Sequence, residues 1–403
     1  MSIRIVGASV ITADDVVETD VLVEDGVIAS VGTSDPGRTE IDGRGQYLAP
    51  AMVDIHGDAF ERQVMPRPNV FFPMEAALLD TDRQLAANGI ATAYHALTLS
   101  WEPGLRSVDR GRELIQGIAA LQDRLTVENR VQLRWETFAF EALDLIEESL
   151  NGPLTPSIAF NDHTSMSMRA FDVPVQERAF EQSPDFSVAS LDDDRMRKRS
   201  AGNAKRSGLT EDEYITLLSD VWDRRGDVGN AIEKVAALGR AAGAPMLSHD
   251  DTRVETRNYY RELGAATSEF PMTVEVANEA RAEGDHIVYG APNAVRGGSH
   301  IGSPSAADMV ERGLCDVLAS DYFYPSMLAG VARMYREGRA PLPDLWSLVS
   351  SGPAKASGLA DRGEMLPGKR ADLVLLDWPE GATPAVTMTM SAGRIAYATH
   401  AAL

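Results

Sequence analysis

The sequence predicts an α/β protein, a (β/α)8 TIM barrel with a small β-sandwich domain built from both chain termini. Three observations lead there. Between about residues 49 and 362, apolar strand-like runs alternate with amphipathic helical stretches such as EAALLDTDRQLAANG (75–89) and GNAIEKVAALGRAAG (229–243), the pattern of a parallel sheet or barrel. Eight candidate strands can be counted there: AMVDIH, IATAYHAL, VQLRWETF, SIAFNDH, PMLSHD, TSEFP, HIVYGAP and DVLASD. The two ends, 1–48 and 363–403, read instead as short alternating strands punctuated by Gly, Asp and Pro, so they are expected to pair into one composite β domain.

A chain of 403 residues that is 44% hydrophobic can bury a large core. Its one cysteine, Cys315, excludes an intramolecular disulfide and any cysteine-rich zinc cluster, so a metal would have to be held by His and carboxylate. The opening MSIRIVGASVITADD lacks the apolar core of a signal peptide, and no run approaches about 18 consecutive apolar residues. A soluble, cytoplasmic protein is the expectation. The net charge of −22 argues against broad nucleic-acid or membrane binding, which depend on basic patches. Arg195, Arg197, Lys198, Arg199, Lys205 and Arg206 depart from that trend. They lie inside a segment after the fourth strand, about 164–227, too long for an ordinary loop and expected to form helices and a lid over the barrel mouth. The cluster reads either as a solvated face or as positive charge brought to a small anionic substrate.

In such a barrel the chemistry sits at the C-terminal ends of the strands. In order, those ends carry His56 with Asp58, His95, Glu136, His163, His249, Glu269 and Asp321. Residues i and i+2 of a strand point the same way, so His56 and Asp58 can reach one ion. Imidazole and carboxylate suit divalent transition metals, and a paired site needs about five or six such ligands, one of them bridging. His56, Asp58, Glu136, His163, His249 and Asp321 supply that set, with two ions expected, zinc first and manganese or iron as alternatives. Asp250 and His95 are candidates for orienting a ligand imidazole. His286 begins a strand and His400 sits in the tail, and both read as structural or surface residues. Asp162 would project away from its neighbour His163 on a regular strand.

The order His-x-Asp, mid-barrel Glu, two further His and a last-strand Asp, flanked by a terminal β domain, resembles the amidohydrolase superfamily, with LAPAMVDIH and GEMLPGKRADLVLLD similar to its opening and closing signatures. Within it the chain resembles the ribose 1-methylphosphonate 5-triphosphate diphosphatases, through HGDAFERQVMPRPNVFFP, SHDDTR, GAPNAVRGGSHIGSPSA, LASDYFYPSML and LVSSGPAKASGL. The resemblance covers nearly the whole chain. It implies metal-site roles for His56, Asp58, His249 and Asp321, with Asp58 and Glu136 replacing the second His and the carboxylated Lys usual in the superfamily. It also implies that Asp321 takes a proton from the attacking water, and that attack falls on the α-phosphorus of a triphosphate with diphosphate leaving. Arg67, after the first strand, and Arg296, Gly297, Gly298, Ser299 and His300, after the seventh, are the candidate phosphate contacts; the paired glycines could form an anion-binding nest. Two stretches depart from the family, HALTLSWEPGLRS (95–107) and IGSPSA (301–306). The alternative enzyme reading is hydrolysis of an amide, cyclic amide or amidine C–N bond, and a non-catalytic binding protein is the reading from another class. A homo-oligomer is expected by analogy with other barrels.

Overall fold

The computed structural model describes residues 2–32, 39–299 and 301–399. Five strands precede the barrel: β1 (Ser2–Ile11), β2 (Val16–Glu24), β3 (Val27–Val31), β4 (Thr39–Asp42) and β5 (Tyr47–Pro50). Three more follow it: β14 (Leu373–Asp377), β15 (Ala385–Ser391) and β16 (Arg394–Ala398). They form one sheet in the order β16-β15-β14-β5-β1-β2-β3, with β4 also paired to β1. The N-terminal and C-terminal strands meet where β5 runs antiparallel to β14, from Tyr47 opposite Leu376 to Pro50 opposite Leu373. Ile5, Val21 and Ile28 share one apolar cluster with Leu375 and Met388, although their strands are well apart in the sheet order, so the sheet curls round a single core. The two layers expected of a sandwich are thus made by one curled sheet.

Eight parallel strands follow in sequence order: β6 (Met52–Gly57), β7 (Ile90–Leu99), β8 (Glu128–Glu136), β9 (Ser157–Asn161), β10 (Met246–His249), β11 (Thr267–Glu269), β12 (His286–Gly290) and β13 (Val317–Ala319). The first and last meet at a parallel bridge between Gly57 and Asp321, where Asp58 N donates to Asp321 O at 2.9 Å and Asp321 N donates to His56 O at 2.9 Å. Beneath that seam Asp54 is fully buried and accepts from Ser320 N (3.0 Å) and Ser320 Oγ (2.5 Å). Gly57 is needed for this approach, because a Cβ there would stand 2.6 Å from Asp54 Oδ2. Barrel closure and the positions of His56, Asp58 and Asp321 are therefore one structural event.

The segment after β9 folds into helices. His163–Met168 is capped by Asp162, whose carboxylate accepts from Ser165 N at 2.7 Å, so His163 opens a helix instead of ending the strand. Asp194–Ser207 and Glu211–Trp222 then pack on each other around Met196, Ala204, Tyr214 and Leu218. Thr210 and Glu213 form a reciprocal capping box at the start of the latter helix. No helix among the described residues is long and apolar enough to cross a membrane.

Candidate active site and metal centre

The strand ends do more than stop. Asp250, Phe270 and Asp321, the residues that follow or nearly follow β10, β11 and β13, adopt φ of 56°, 56° and 54°. Left-handed backbone costs a non-glycine residue about 1–2 kcal/mol, and strain of this kind gathers at functional sites. Each is held there by a bond from its N–H to a carbonyl of the neighbouring strand: Asp250 to Glu269, Phe270 to Val288, Asp321 to His56.

Inside the mouth, His56 and His249 stack with ring centroids 5.4 Å apart and share one carboxylate. Glu269 Oε2 lies 2.8 Å from His249 Nδ1, and Oε1 lies 2.9 Å from His56 Nδ1 and accepts from Gln132 Nε2 at 2.8 Å. Burial opposes the charge on Glu269, yet His56 and His249 hold its carboxyl well below the usual carboxylate range. Burial pushes the His249 pKa down, outweighing the pull of Asp250. Across the mouth Glu136 meets His163 Nδ1 at 2.5 Å and accepts from His163 N at 3.1 Å. Burial would lower the His163 pKa, but Glu136 and Asp250 raise it to about 9. Asp321 shifts upward because it is buried and faces Asp58.

Three overlapping groups have ligand atoms close enough to share an ion: His56, His249 and Glu269; His163, His249 and Asp250; His56, Asp58 and Asp321. One atom tests whether a cation fits. His56 is fully buried; its Nδ1 lies off the hydrogen-bond line to Glu269, and its Nε2 has no partner among the described residues. Leaving such an atom unsatisfied costs about 1–3 kcal/mol. An orphaned imidazole nitrogen among carboxylates is the donor set that a divalent ion completes.

All six expected ligands line this mouth. Asp250, a candidate for orienting a ligand, points its own carboxylate inward, 3.4 Å from His249 Nε2 and 3.7 Å from His163 Nε2. Glu269, noted as a strand end but not placed among the ligands, is central. Arg134 was missed altogether. Its guanidinium lies 2.9 Å from His249 Nε2 and 3.5 Å from Asp58, with Nε bonded to Asn161 at 3.0 Å. The signal was present in VQLRWETF, where Gln132, Arg134 and Glu136 alternate on one face of β8.

Other expectations need correction. His95 orients no ligand: its Nε2 bonds Asn129 at 2.7 Å, Asn129 bonds Asp82 of the helix Met74–Ala87, and the ring packs edge-on against Phe60. It lies on the helix side of the wall, because its strand neighbours Tyr94 and Ala96 take the other face. Gly297 and Gly298 form no anion nest, since both N–H groups donate to Asn293 O and end the helix Ala291–Arg296. Arg67 is exposed in a loop that touches Lys205 through Asn69. Arg296 and Ser299 do line a cavity of about 70 Å³ with Asp250 and Asp321. His300 lies outside the described residues.

Most of the basic cluster is tied down within the helix Asp194–Ser207. Arg195 pairs with Asp193 and Asp172, Arg197 with Asp194 and Asp212, and Arg199 donates to the Ser167 and Arg169 carbonyls. Arg206 is the member that lines the mouth's second cavity.

With this geometry in hand, likeness to known proteins becomes informative. The model of the amidohydrolase family matches residues 221–397. The chain is 32% identical to the alpha-D-ribose 1-methylphosphonate 5-triphosphate diphosphatase of Escherichia coli (strain K12), over 90% of this chain and 92% of that protein. It is 22% identical to the D-hydantoinase of Rhizobium radiobacter, over 94% of this chain and 86% of that protein. Among solved structures, phenylurea hydrolase B superposes with a TM-score of 0.63 at 15% identity, covering 98% of this chain and 96% of the other, a likeness of fold.

Proposed function

Since the chain belongs to the amidohydrolase superfamily, we propose that it is a metal-dependent phosphoanhydride hydrolase, acting on ribose 1-methylphosphonate 5-triphosphate or a similar phosphorylated compound and releasing diphosphate. The observation that carries the hydrolytic reading is the cluster of His56, His163 and His249, where His56 Nε2 lacks a partner among the described residues and five carboxylates, Asp58, Glu136, Asp250, Glu269 and Asp321, stand among the three imidazoles. Arg134 is a guanidinium set among them, 3.5 Å from Asp58. Two divalent ions suit such a set of imidazoles and carboxylates, with zinc the first candidate. His56, Asp58, His163, His249, Asp250, Glu269 and Asp321 would hold them, with Glu136 steadying His163. When bound, such ions supply Lewis acidity and bring the pKa of a coordinated water down to about 7.

The residues divide the remaining work. Asp321, at the seam, accepts the proton of the attacking water, and its upward shift suits a group that must hold that proton near neutrality. A P–O bond forms at the α-phosphorus as the bond to the bridging oxygen of the leaving diphosphate breaks. Arg134 stands where charge on the phosphoryl oxygens would grow, and fixed cations in a dry site stabilise such charge strongly. Arg296 and Ser299 are available to the non-reacting end of the substrate from the cavity beside Asp321. The substrate class draws support from the 32% identity with the diphosphatase.

The likeness to the D-hydantoinase favours the second reading, attack of the same water on the carbon of an amide or cyclic amide. Phosphorus NMR of metal-loaded protein with ribose 1-methylphosphonate 5-triphosphate and nucleoside triphosphates separates the two. Diphosphate release that a chelator and His249→Ala both abolish supports the first. No phosphorus product from metal-replete protein moves the assignment to C–N hydrolysis.

A further inference from the structure

The stretch 95–107 does not lie idle on the surface. Thr98, Ser100, Trp101, Glu102 and Arg106 line a cavity of about 230 Å³ that opens onto Arg134, Glu136 and His163 of the mouth. The helix Asp194–Ser207 closes its far side with Asn203 and Arg206. Three guanidinia therefore converge on one compartment of a strongly acidic protein.

The pairing of Arg106 and Arg206 leaves donors to spare. Arg106 gives Nε and Nη2 to Glu61 at 2.9 and 3.0 Å. Arg206 gives only Nη2, to Glu102 at 2.7 Å and Asn203 at 3.1 Å. Its Nε is buried with no partner among the described residues. Thr98 is 3% exposed, and its Oγ1 likewise has no partner among them. Glu102 is occupied, since Tyr214 Oη also donates to it at 2.6 Å. Two unsatisfied buried polar atoms and three cations around an open volume describe a receptor for an anion.

We infer that this cavity is the subsite for the polyanionic leaving end of the substrate, a diphosphate group, and that 95–107 and Arg206 set the enzyme's specificity for it. The inference rests on the phosphoanhydride reading above. The cavity across the mouth is smaller, about 70 Å³, and Arg296 is its one arginine among the described residues. A diphosphate group carries more charge than a phosphonate ester, so the asymmetry orients an elongated substrate with its anhydride over the metal ligands and its diphosphate towards Arg206. Arg106 and Arg206 act as binding residues in this account, apart from the reacting atoms.

The test is calorimetric titration of metal-loaded protein with pyrophosphate, at constant free metal, with succinate as a carboxylate probe of similar length. Arg206→Gln is expected to weaken pyrophosphate binding at least tenfold and Arg206→Lys much less, whereas Arg296→Gln changes it less than threefold. Thr98→Val, nearly the same size, should weaken it several-fold, and carries the test if Arg206→Gln fails to fold. Unchanged pyrophosphate binding in Thr98→Val and Arg206→Gln overturns the inference, as does an equal loss in Arg296→Gln or succinate binding as tight as pyrophosphate. Triphosphate turnover with binding indifferent to these substitutions removes the cavity and keeps the phosphoanhydride reading. Pyrophosphate held as expected, with no phosphorus product from any triphosphate, removes that reading and leaves the anion site.

Discussion

Two histidines on adjacent strands of the barrel, His95 and His56, are both buried, and they end in opposite conditions. On the helix side of the wall, His95 meets Asn129, which donates to Asp82; Asp82 also accepts from the backbone N–H groups of Thr126 and Val127. No atom of His95, Asn129 or Asp82 is left buried without a partner among the described residues. Burial lowers the His95 pKa, so its ring stays neutral and acts as a hydrogen-bonded piece of the core. On the lumen side, His56 has a carboxylate beside one nitrogen and no hydrogen-bond partner for the other among the described residues. Buried polar groups are nearly always paired, and an exception calls for a water, an ion or a ligand to complete it or for strain to explain it. Similar exposure and the same residue type thus separate by partners alone.

The largest effect that would sharpen this contrast is on turnover. Asp321→Asn should lower activity by roughly 10²- to 10⁴-fold, the usual contribution of a positioned acid or base, while metal content by elemental analysis stays near that of the parent. Undiminished turnover would remove Asp321 from the proton-transfer role. Next comes the effect of the ions on stability. An ion present at about 100 times its Kd stabilises the native state by about 2.7 kcal/mol, so zinc should raise Tm in the parent and much less in His249→Ala. His95→Leu should instead lower Tm with and without zinc, by the equivalent of about 1–3 kcal/mol, and keep the zinc-induced rise. Loss of that rise in His95→Leu would break the comparison.

A further effect is the pH dependence of the metal-free protein. His163 is held at about 9 in the folded state, above its ordinary value of about 6.5. Its protonated pair with Glu136 therefore contributes stability in full below about pH 6.5 and loses it as pH rises through about 9. Tm should fall by a few degrees over that window, and His163→Gln should flatten the fall. Parallel curves for the two proteins would show that the pair does not titrate as described.

Much of this was legible in the chain. The eight strands stood out because apolar runs alternate with amphipathic helices, and His56, His249 and Asp321 because they end such runs. Arg134 and Glu269 were harder to see for different reasons. Arginine on a barrel strand reads as a wall residue unless the alternation with Gln132 and Glu136 is followed to the lumen, and Glu269 ends a strand of only three residues. His95 misled because a ten-residue strand, β7, carries residues to both faces, and position along the strand does not say which face a side chain takes. The Gly297-Gly298 pair misled because a helix cap and an anion nest use the same backbone conformations.

By itself the sequence determined the periodicities, and hence the barrel and a β domain built from both termini, because burial patterns of period 2 and 3.6 are local properties of a chain. It also determined which chemistry was available, imidazole and carboxylate without thiolate. Only the tertiary structure decided which donors face one another, which are already satisfied and which are left open. It brought Thr98, Arg134 and Arg206 to one cavity from three separate elements. Contacts of that kind depend on barrel closure at Gly57 and Asp321 and on the packing of the helix Asp194–Ser207, where residues far apart in the chain meet and no local pattern records the meeting.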